Sequence, residues 1–263
     1  MKLIFKILTL LIPLFSFSQI TSTVDFHVIN KGMDNDYLTL EKIWSEFHKK
    51  NIEEGKMIRW TLLKINESKG ELSKGATYVT VNTFPSSEDS KSIWEDMTSD
   101  KFLKLVKKRL KGDMSSREIN KILNSKIKSS VHSFSITPLS GTTPSASLKV
   151  GDYIFLDAMK QQNDEYENYE ISFAKEVMQY NVENGNLKLW GFTKITERSD
   201  NASDMPTHFT WRVPEEEGSF DWNSEKLIEK FGNKFVYEKM WKLTSESRTV
   251  PGTVKLEILK ILD

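Results

Sequence analysis

Apolar positions along this chain switch between two periods, and the switches mark its elements. Asp25 to Asn30 alternates as a strand does, and Tyr37 to Glu54 follows a helical period. In that helix Leu40, Ile43 and Phe47 form one stripe, and Tyr37, Glu41, Trp44 and His48 form the adjacent one. Gly55 stands where a C-terminal helix glycine belongs. Strands follow at Met57 to Ile65 and Ala76 to Phe84. A helix opens at Pro85 and carries Trp94, Phe102, Val106 and Leu110. A charged helical segment spans Ser115 to Lys128, and a strand spans Val131 to Ile136. The later part of the chain predicts the same order: strand Tyr153 to Met159, helix Tyr166 to Asn184, strands Leu187 to Thr196 and Thr207 to Val213, helix Asn223 to Ser245, and strand Val254 to Ile261. Each series reads β-α-β-β-α-β, the split ferredoxin-like unit.

The wording recurs as well as the order. Y-L-T-L-E-K-I-W from Tyr37 echoes Y-E-N-Y-E-I-S-F from Tyr166. G-K-M-I-R-W-T-L-L-K-I from Gly55 echoes G-N-L-K-L-W-G-F-T-K-I from Gly185. A-T-Y-V-T-V from Ala76 echoes P-T-H-F-T-W from Pro206. Three echoes in one order imply a doubled supersecondary unit. In this register Glu41 answers to Glu170, Trp60 to Trp190, and His48 to Val177. Residues 1–18 read as a secretory signal peptide: Lys2 and Lys6, an apolar run from Leu3 to Phe17, then Ser16 and Ser18. The predicted organisation is therefore a leader at 1–18, a first half at 19–137, a Pro/Gly/Ser/Thr-rich linker at 138–150 and a second half at 151–263. An exported protein, periplasmic or extracellular and with no membrane contact after cleavage, is the expectation.

The strands are apolar on both faces. Ile58, Trp60 and Leu62 oppose Met57, Leu63 and Ile65; Trp190 and Phe192 oppose Leu187, Leu189 and Ile195. An antiparallel sheet with one wet face alternates apolar with polar. Two apolar faces need helices on one side and a second sheet on the other. The Tyr-x-x-x-Glu helices, the glycines that end them, the Trp-x-x-x-Lys-Ile strands and the Thr-x-x-Thr strands resemble the dimeric α+β barrel superfamily, in the tandem form with both halves in one chain. The resemblance covers nearly all of the chain after the leader. It implies an intramolecular pseudo-dimer, and a range of activities that includes monooxygenases, haem-degrading enzymes and chlorite-dismutase-like haem proteins.

Composition narrows the chemistry. The chain has 37 basic and 37 acidic residues, so it lacks the basic excess of a nucleic-acid binder. The Lys-rich stretch Lys101 to Lys111 reads as a solvated helix face. Absence of cysteine removes disulfides, thiolate-held metals and thiol nucleophiles. His27, His48, His132 and His208 stand too far apart in sequence for a metal motif. No phosphate-binding glycine loop or nucleophile elbow occurs.

The remaining candidates are Tyr37, Glu41, Trp44 and His48 on one helix face, with Trp60, Glu170 and Trp190. These are expected to bind a small, partly apolar organic molecule without a permanent cofactor. A second expectation is a cofactor-independent oxygenase or isomerase with Glu41 as base and Tyr37 or His48 assisting. A third is haem, with His48, Trp60 and Asn51 about it. A fourth is a solid barrel acting only as an interaction module. Tyr78, Thr80 and Asn82, with His208, Thr210 and Arg212, would give the barrel lumen a polar lining if they point inward.

Overall fold

A computed structural model describes residues 20–95, 97–216, 220–221 and 225–263. The expected leader at 1–18 lies outside the described residues. The strands are β1 (Thr21–Ile29), β2 (Arg59–Gly70), β3 (Tyr78–Phe84), β4 (Lys128–Gly141), β5 (Tyr153–Gln161), β6 (Leu187–Arg198), β7 (His208–Pro214) and β8 (Arg248–Leu262). They close into one barrel in the order β1-β3-β2-β8-β5-β7-β6-β4. Every neighbouring pair is antiparallel. Closure leaves no unpaired edge. The seams between the earlier and later strands are β2–β8 and β4–β6, and both are long. The β4 strand extends through Pro138 to Gly141, residues expected in the linker, because they pair with β6 from Gly191 to Thr193.

The helices lie outside the barrel. Helix α1 (Asp34–Glu53) follows β1, and α2 (Ser87–Glu95), α3 (Ser99–Arg109) and α4 (Ser116–Leu123) follow β3. The single helix expected after Pro85 is thus two. The Thr98 hydroxyl caps the second by accepting from the Lys101 N–H at 3.3 Å. After β5 come α5 (Tyr166–Tyr169), a π-helical turn (Glu170–Ala174) and α6 (Lys175–Glu183). The helix expected over Asn223 to Ser245 is α7 (Glu225–Lys230) and α8 (Lys234–Glu246), parted at Gly232 (φ +93°) and restarted by the Asn233 cap.

The lumen is solid. Val24, Phe26, Phe134, Leu156, Phe209 and Leu256 meet inside it, drawn from both stretches of the chain and fully buried. The polar lining considered for the lumen is not there. Val79 and Val81 belong to the lumen packing, so the alternate residues of β3, namely Tyr78, Thr80 and Asn82, face the helix layer. Leu187 also departs from its expected face: a register shift between Leu187 and Leu189 turns it to pack with Trp190 and Phe192.

Candidate functional site

With the lumen filled, the open space lies between the sheet's outer face and the helices. One cavity of about 190 Å³ is lined by Asp25 and His27 of β1, Glu41, Trp44 and His48 of α1, Trp60 of β2, Thr80 and Asn82 of β3, Trp94 of α2 and Lys128 at the start of β4. The strand period explains the β1 and β3 contributions. Asp25 and His27 are two apart, as are Thr80 and Asn82, while Val24, Phe26, Val79 and Val81 turn to the lumen. The helix period explains Glu41, Trp44 and His48 on one side of α1.

A second cavity of about 210 Å³ lies over the later strands. Its walls include Asp157, Glu170, Met178, Trp190, Thr210, Arg212 and Arg248. The two cavities match position by position. Asp25 pairs across the ladder with Thr80, and Asp157 with Thr210. Asp25 Oδ1 accepts from Ser133 Oγ at 2.6 Å, and Asp157 Oδ1 from Thr253 Oγ1 at 2.7 Å. Glu41 Oε1 accepts from Lys128 Nζ at 3.0 Å, and Glu170 pairs with Arg248.

His48 needs a correction. Tyr166 and Glu170 stand 129 positions after Tyr37 and Glu41, but Gly185 and Trp190 stand 130 after Gly55 and Trp60. The π turn at Glu170–Ala174 absorbs the extra residue. Beyond it, Asn51 Nδ2 donates to the Phe47 carbonyl at 2.9 Å, and Asn181 Nδ2 to the Val177 carbonyl at 3.0 Å. Phe47 therefore answers to Val177, and His48 to Met178 rather than Val177. Gly55 and Gly185, with φ of +71° and +73°, close both helices as expected.

The cavities differ in how their polar groups are satisfied. In the second, Arg212 donates to Asp157 Oδ2 through Nε and Nη2 at 3.0 and 2.8 Å, and Arg248 pairs with Glu170, so two cations meet two anions. In the first, Asn82 replaces Arg212, so Lys128 alone faces Asp25 and Glu41. Four buried atoms of its lining residues have no hydrogen-bond partner within the structure: His27 Nδ1, His48 Nδ1, Trp60 Nε1 and Asn82 Oδ1. Buried polar atoms are ordinarily paired.

Protonation states follow from burial. It pushes His48 down to about 3, with the Lys128 charge adding, and holds His27 well below the usual imidazole range. Burial raises Asp25, against the opposing hydrogen bond from Ser133. Tyr37 is raised far above the usual phenol range by burial, then by the Glu41 carboxylate. The first cavity thus holds two neutral imidazoles and a carboxyl with raised proton affinity.

An acid sensitivity follows. An unfolded histidine takes up a proton near pH 6.5, whereas folded His48 does so only near 3. Between those values the unfolded state binds more protons, so stability falls as pH drops. For His48 alone the step from pH 7 to 5 costs about 2 kcal/mol. His27 acts in the same direction, while Asp25, whose folded form takes a proton earlier, acts against it at the lower end. Urea unfolding of wild type and His48→Phe at both pH values should show the variant losing about 2 kcal/mol less. Equal losses would contradict the neutral buried imidazole.

Of the residues expected from sequence, Glu41, Trp44, His48 and Trp60 line the first cavity. Tyr37 is buried behind it, its ring 5.5 Å from that of His27. Glu170 and Trp190 line the second cavity, so the seven fall into two sites. Asp25, His27 and Lys128 were not among them, and Thr80 and Asn82, expected in the lumen, line this cavity instead. The signal for the first pair was D-F-H in β1, two polar residues at strand spacing with Val24, Phe26 and Val28 between and beside them.

The haem arrangement does not fit. The His48 ring stacks on Trp60 at 5.3 Å and 16°, and Lys260 Nζ lies 6.0 Å from the Trp60 ring. Asn51 is committed to the Phe47 carbonyl. A space of about 190 Å³ is below the roughly 300 Å³ at which pockets for drug-sized ligands begin. No group of three or more His, Asp or Glu among the described residues could hold a metal ion. No described helix is long and apolar enough to cross a membrane.

No family model matches the chain, and no curated protein does. Solved structures do. A candidate monooxygenase from Fusobacterium nucleatum subsp. nucleatum ATCC 25586 superposes with a TM-score of 0.55 at 11% identity, over 94% of this chain and 95% of that one. Another, from Lactobacillus acidophilus NCFM, gives 0.53 at 10% identity over 93% and 96%. A haem-binding protein from Thermus thermophilus gives 0.46 at 10% identity over 92% of each chain. At such identities the first two likenesses are of fold. With the closed barrel and its outer helices, they bear out the dimeric α+β-barrel fold that the motifs implied.

Proposed function

We propose that this single-chain α+β barrel binds a small, partly apolar organic molecule in the cavity around His27, His48, Trp60 and Asn82. The observation that carries the reading is an aromatic-walled space of about 190 Å³ in which Lys128 is the one Lys or Arg among the walls, facing the carboxylates Asp25 and Glu41. The second cavity is closed by its own charges: Arg212 pairs with Asp157, and Arg248 with Glu170. In this reading the chain is two ferredoxin-like units descended from one, of which the first kept an open site and the second closed it with Arg212 and Arg248. The leader at 1–18 would export the protein, and the mature mass would report its removal.

Binding should be visible in tryptophan fluorescence, since Trp44, Trp60 and Trp94 line the cavity. In a titration against a panel of small neutral organic molecules, wild type should give at least one saturable response. Asn82→Leu and His48→Phe should weaken it tenfold or more, and Thr210→Val in the second cavity should leave it unchanged. The reverse pattern would sink the assignment of the site.

A catalytic reading rests on Asp25. Lys128 at 3.0 Å holds Glu41, the base expected from sequence, as an ion-pair partner. Asp25, by contrast, has raised proton affinity beside neutral His27 and Asn82, which suits proton transfer to or from a bound molecule. Asp25→Asn should then abolish any turnover while changing ligand affinity only a few fold. Retained turnover would exclude Asp25 as the acid or base.

A further inference from the structure

Resting on the binding reading above, we infer that the ligand the first cavity prefers is a small organic monocation, an ammonium or amidinium head on a one-ring apolar body. Its head pairs with Asp25, and its body lies among the tryptophans. The chain itself holds a precedent for this contact, because the second cavity already carries such a cation in the form of Arg212.

The ladder registers fix the comparison. Asp25 lies opposite Thr80 and Asp157 opposite Thr210, so Asn82 and Arg212, two residues further along β3 and β7, hold equivalent places. Asp157 Oδ2 accepts from Arg212 Nε at 3.0 Å and Nη2 at 2.8 Å, and the guanidinium carbon lies 5.6 Å from the centre of the Phe155 ring. A carboxylate together with an aromatic face stabilises an organic cation. Asp25 keeps the hydroxyl partner on Oδ1, from Ser133 at 2.6 Å, but its Oδ2 accepts from the neutral Asn82 amide at 3.1 Å. Among the described residues Asp25 forms no ion pair, and Lys128, the cation among the walls, is held by Glu41 at 3.0 Å. The first cavity therefore carries one carboxylate more than it has cations. Burial raises the proton affinity of Asp25 against the Ser133 hydrogen bond and the Lys128 charge, the direction expected of a carboxylate without a cation of its own.

This carboxylate can be reached. The Asp25 backbone lies within the ladder, paired with β3 on one side and β4 on the other, yet the residue is only half-buried. Its open surface therefore belongs to the carboxymethyl side chain that lines the cavity. Trp44, also half-buried, and Trp94, 48% exposed, add aromatic surface to the same walls. A cavity of about 150 Å³ accepts benzene, so about 190 Å³ suits a single ring with a short head. An anionic head would meet Asp25 and Glu41 instead of a free cation.

The test uses five one-ring molecules of similar shape: benzylamine and benzamidine as cations, benzyl alcohol and benzamide as their neutral counterparts, and benzoate as the anion. Each is titrated into the full chain at neutral pH and followed by calorimetry. Each cation should bind at least tenfold more tightly than its neutral counterpart, and benzoate should bind most weakly. Asp25→Asn should cut cation affinity tenfold or more and leave the neutral molecules within about threefold. In the catalytic reading the same substitution changes affinity only a few fold, so this variant separates the two. Asn82→Arg, which rebuilds the arrangement of the second cavity in the first, should abolish cation binding in a folded protein. Two variants are used so that misfolding of one, seen by circular dichroism, does not decide the matter. A neutral molecule or benzoate that binds as tightly as the cations overturns the charge assignment and leaves the cavity as a binding site. Cation binding that survives in the folded variants overturns the pairing with Asp25. If none of the five binds saturably, the cation is overturned, and the binding reading is then decided by the panel of small neutral molecules.

Discussion

Lys128→Met is expected to destabilise the folded protein by about 3 kcal/mol, the low end of the cost of breaking a buried ion pair. The estimate rests on an asymmetry in the pair. Glu41 is 4% exposed on its side chain and Lys128 is 24%, so the carboxylate depends on the ammonium more than the reverse. Without Lys128 the carboxylate would sit beside the Tyr37 ring and Asp25, with no cation among the cavity walls. Glu41→Gln should cost less, because Lys128 can turn its ammonium to water, and Glu41→Gln with Lys128→Met together should recover much of the single-variant loss. Urea midpoints for the four proteins form a double-mutant cycle. Additive losses would show that the two charges do not depend on each other, and Glu41 would return as a candidate base.

The architecture was legible because it is written in periods. Apolar residues on both faces of β2 and β6 pointed to two buried faces, and the helical stripe of α1 put Glu41, Trp44 and His48 on one side. The site was legible only in part, for two physical reasons. Its sheet-borne residues, Asp25, His27, Thr80 and Asn82, are single polar positions in short strands. Nothing in a strand's own pattern says whether such a residue meets water, a lumen or a helix layer. The polar lumen expected on β3 and β7 failed on that ambiguity: Val79 and Phe209 fill the barrel, and the polar alternates turn outward. The second reason is local geometry. A one-residue insertion read as a flat alignment sets His48 against Val177. Absorbed by the π turn, it sets His48 against Met178, and only then does the contrast between the cavities become visible: an imidazole in one, a thioether in the other.

The shared lumen carries the second large effect. Phe209 of β7 is fully buried and meets Phe134 of β4 edge-to-face, ring centroids 5.3 Å apart at 82°; Phe134 in turn meets Phe26 of β1 at 6.0 Å. Phe209→Ala therefore removes a ring from a core drawn from both stretches of the chain, at a cost of about 3–5 kcal/mol. Relaxation should be slight, because the closed ladder holds the strands apart and the neighbouring rings cannot slide into the void. The sharper expectation concerns cooperativity. If each stretch had its own core, a substitution in β7 would lower the unfolding midpoint of the later strands and spare the earlier ones. With one core, the surroundings of Trp60 and Trp190 should lose structure together. Single-tryptophan versions retaining either residue should then show coincident urea midpoints, both displaced equally by Phe209→Ala. Two separated transitions, with Trp60 unaffected, would mean that the halves do not depend on one another for their packing.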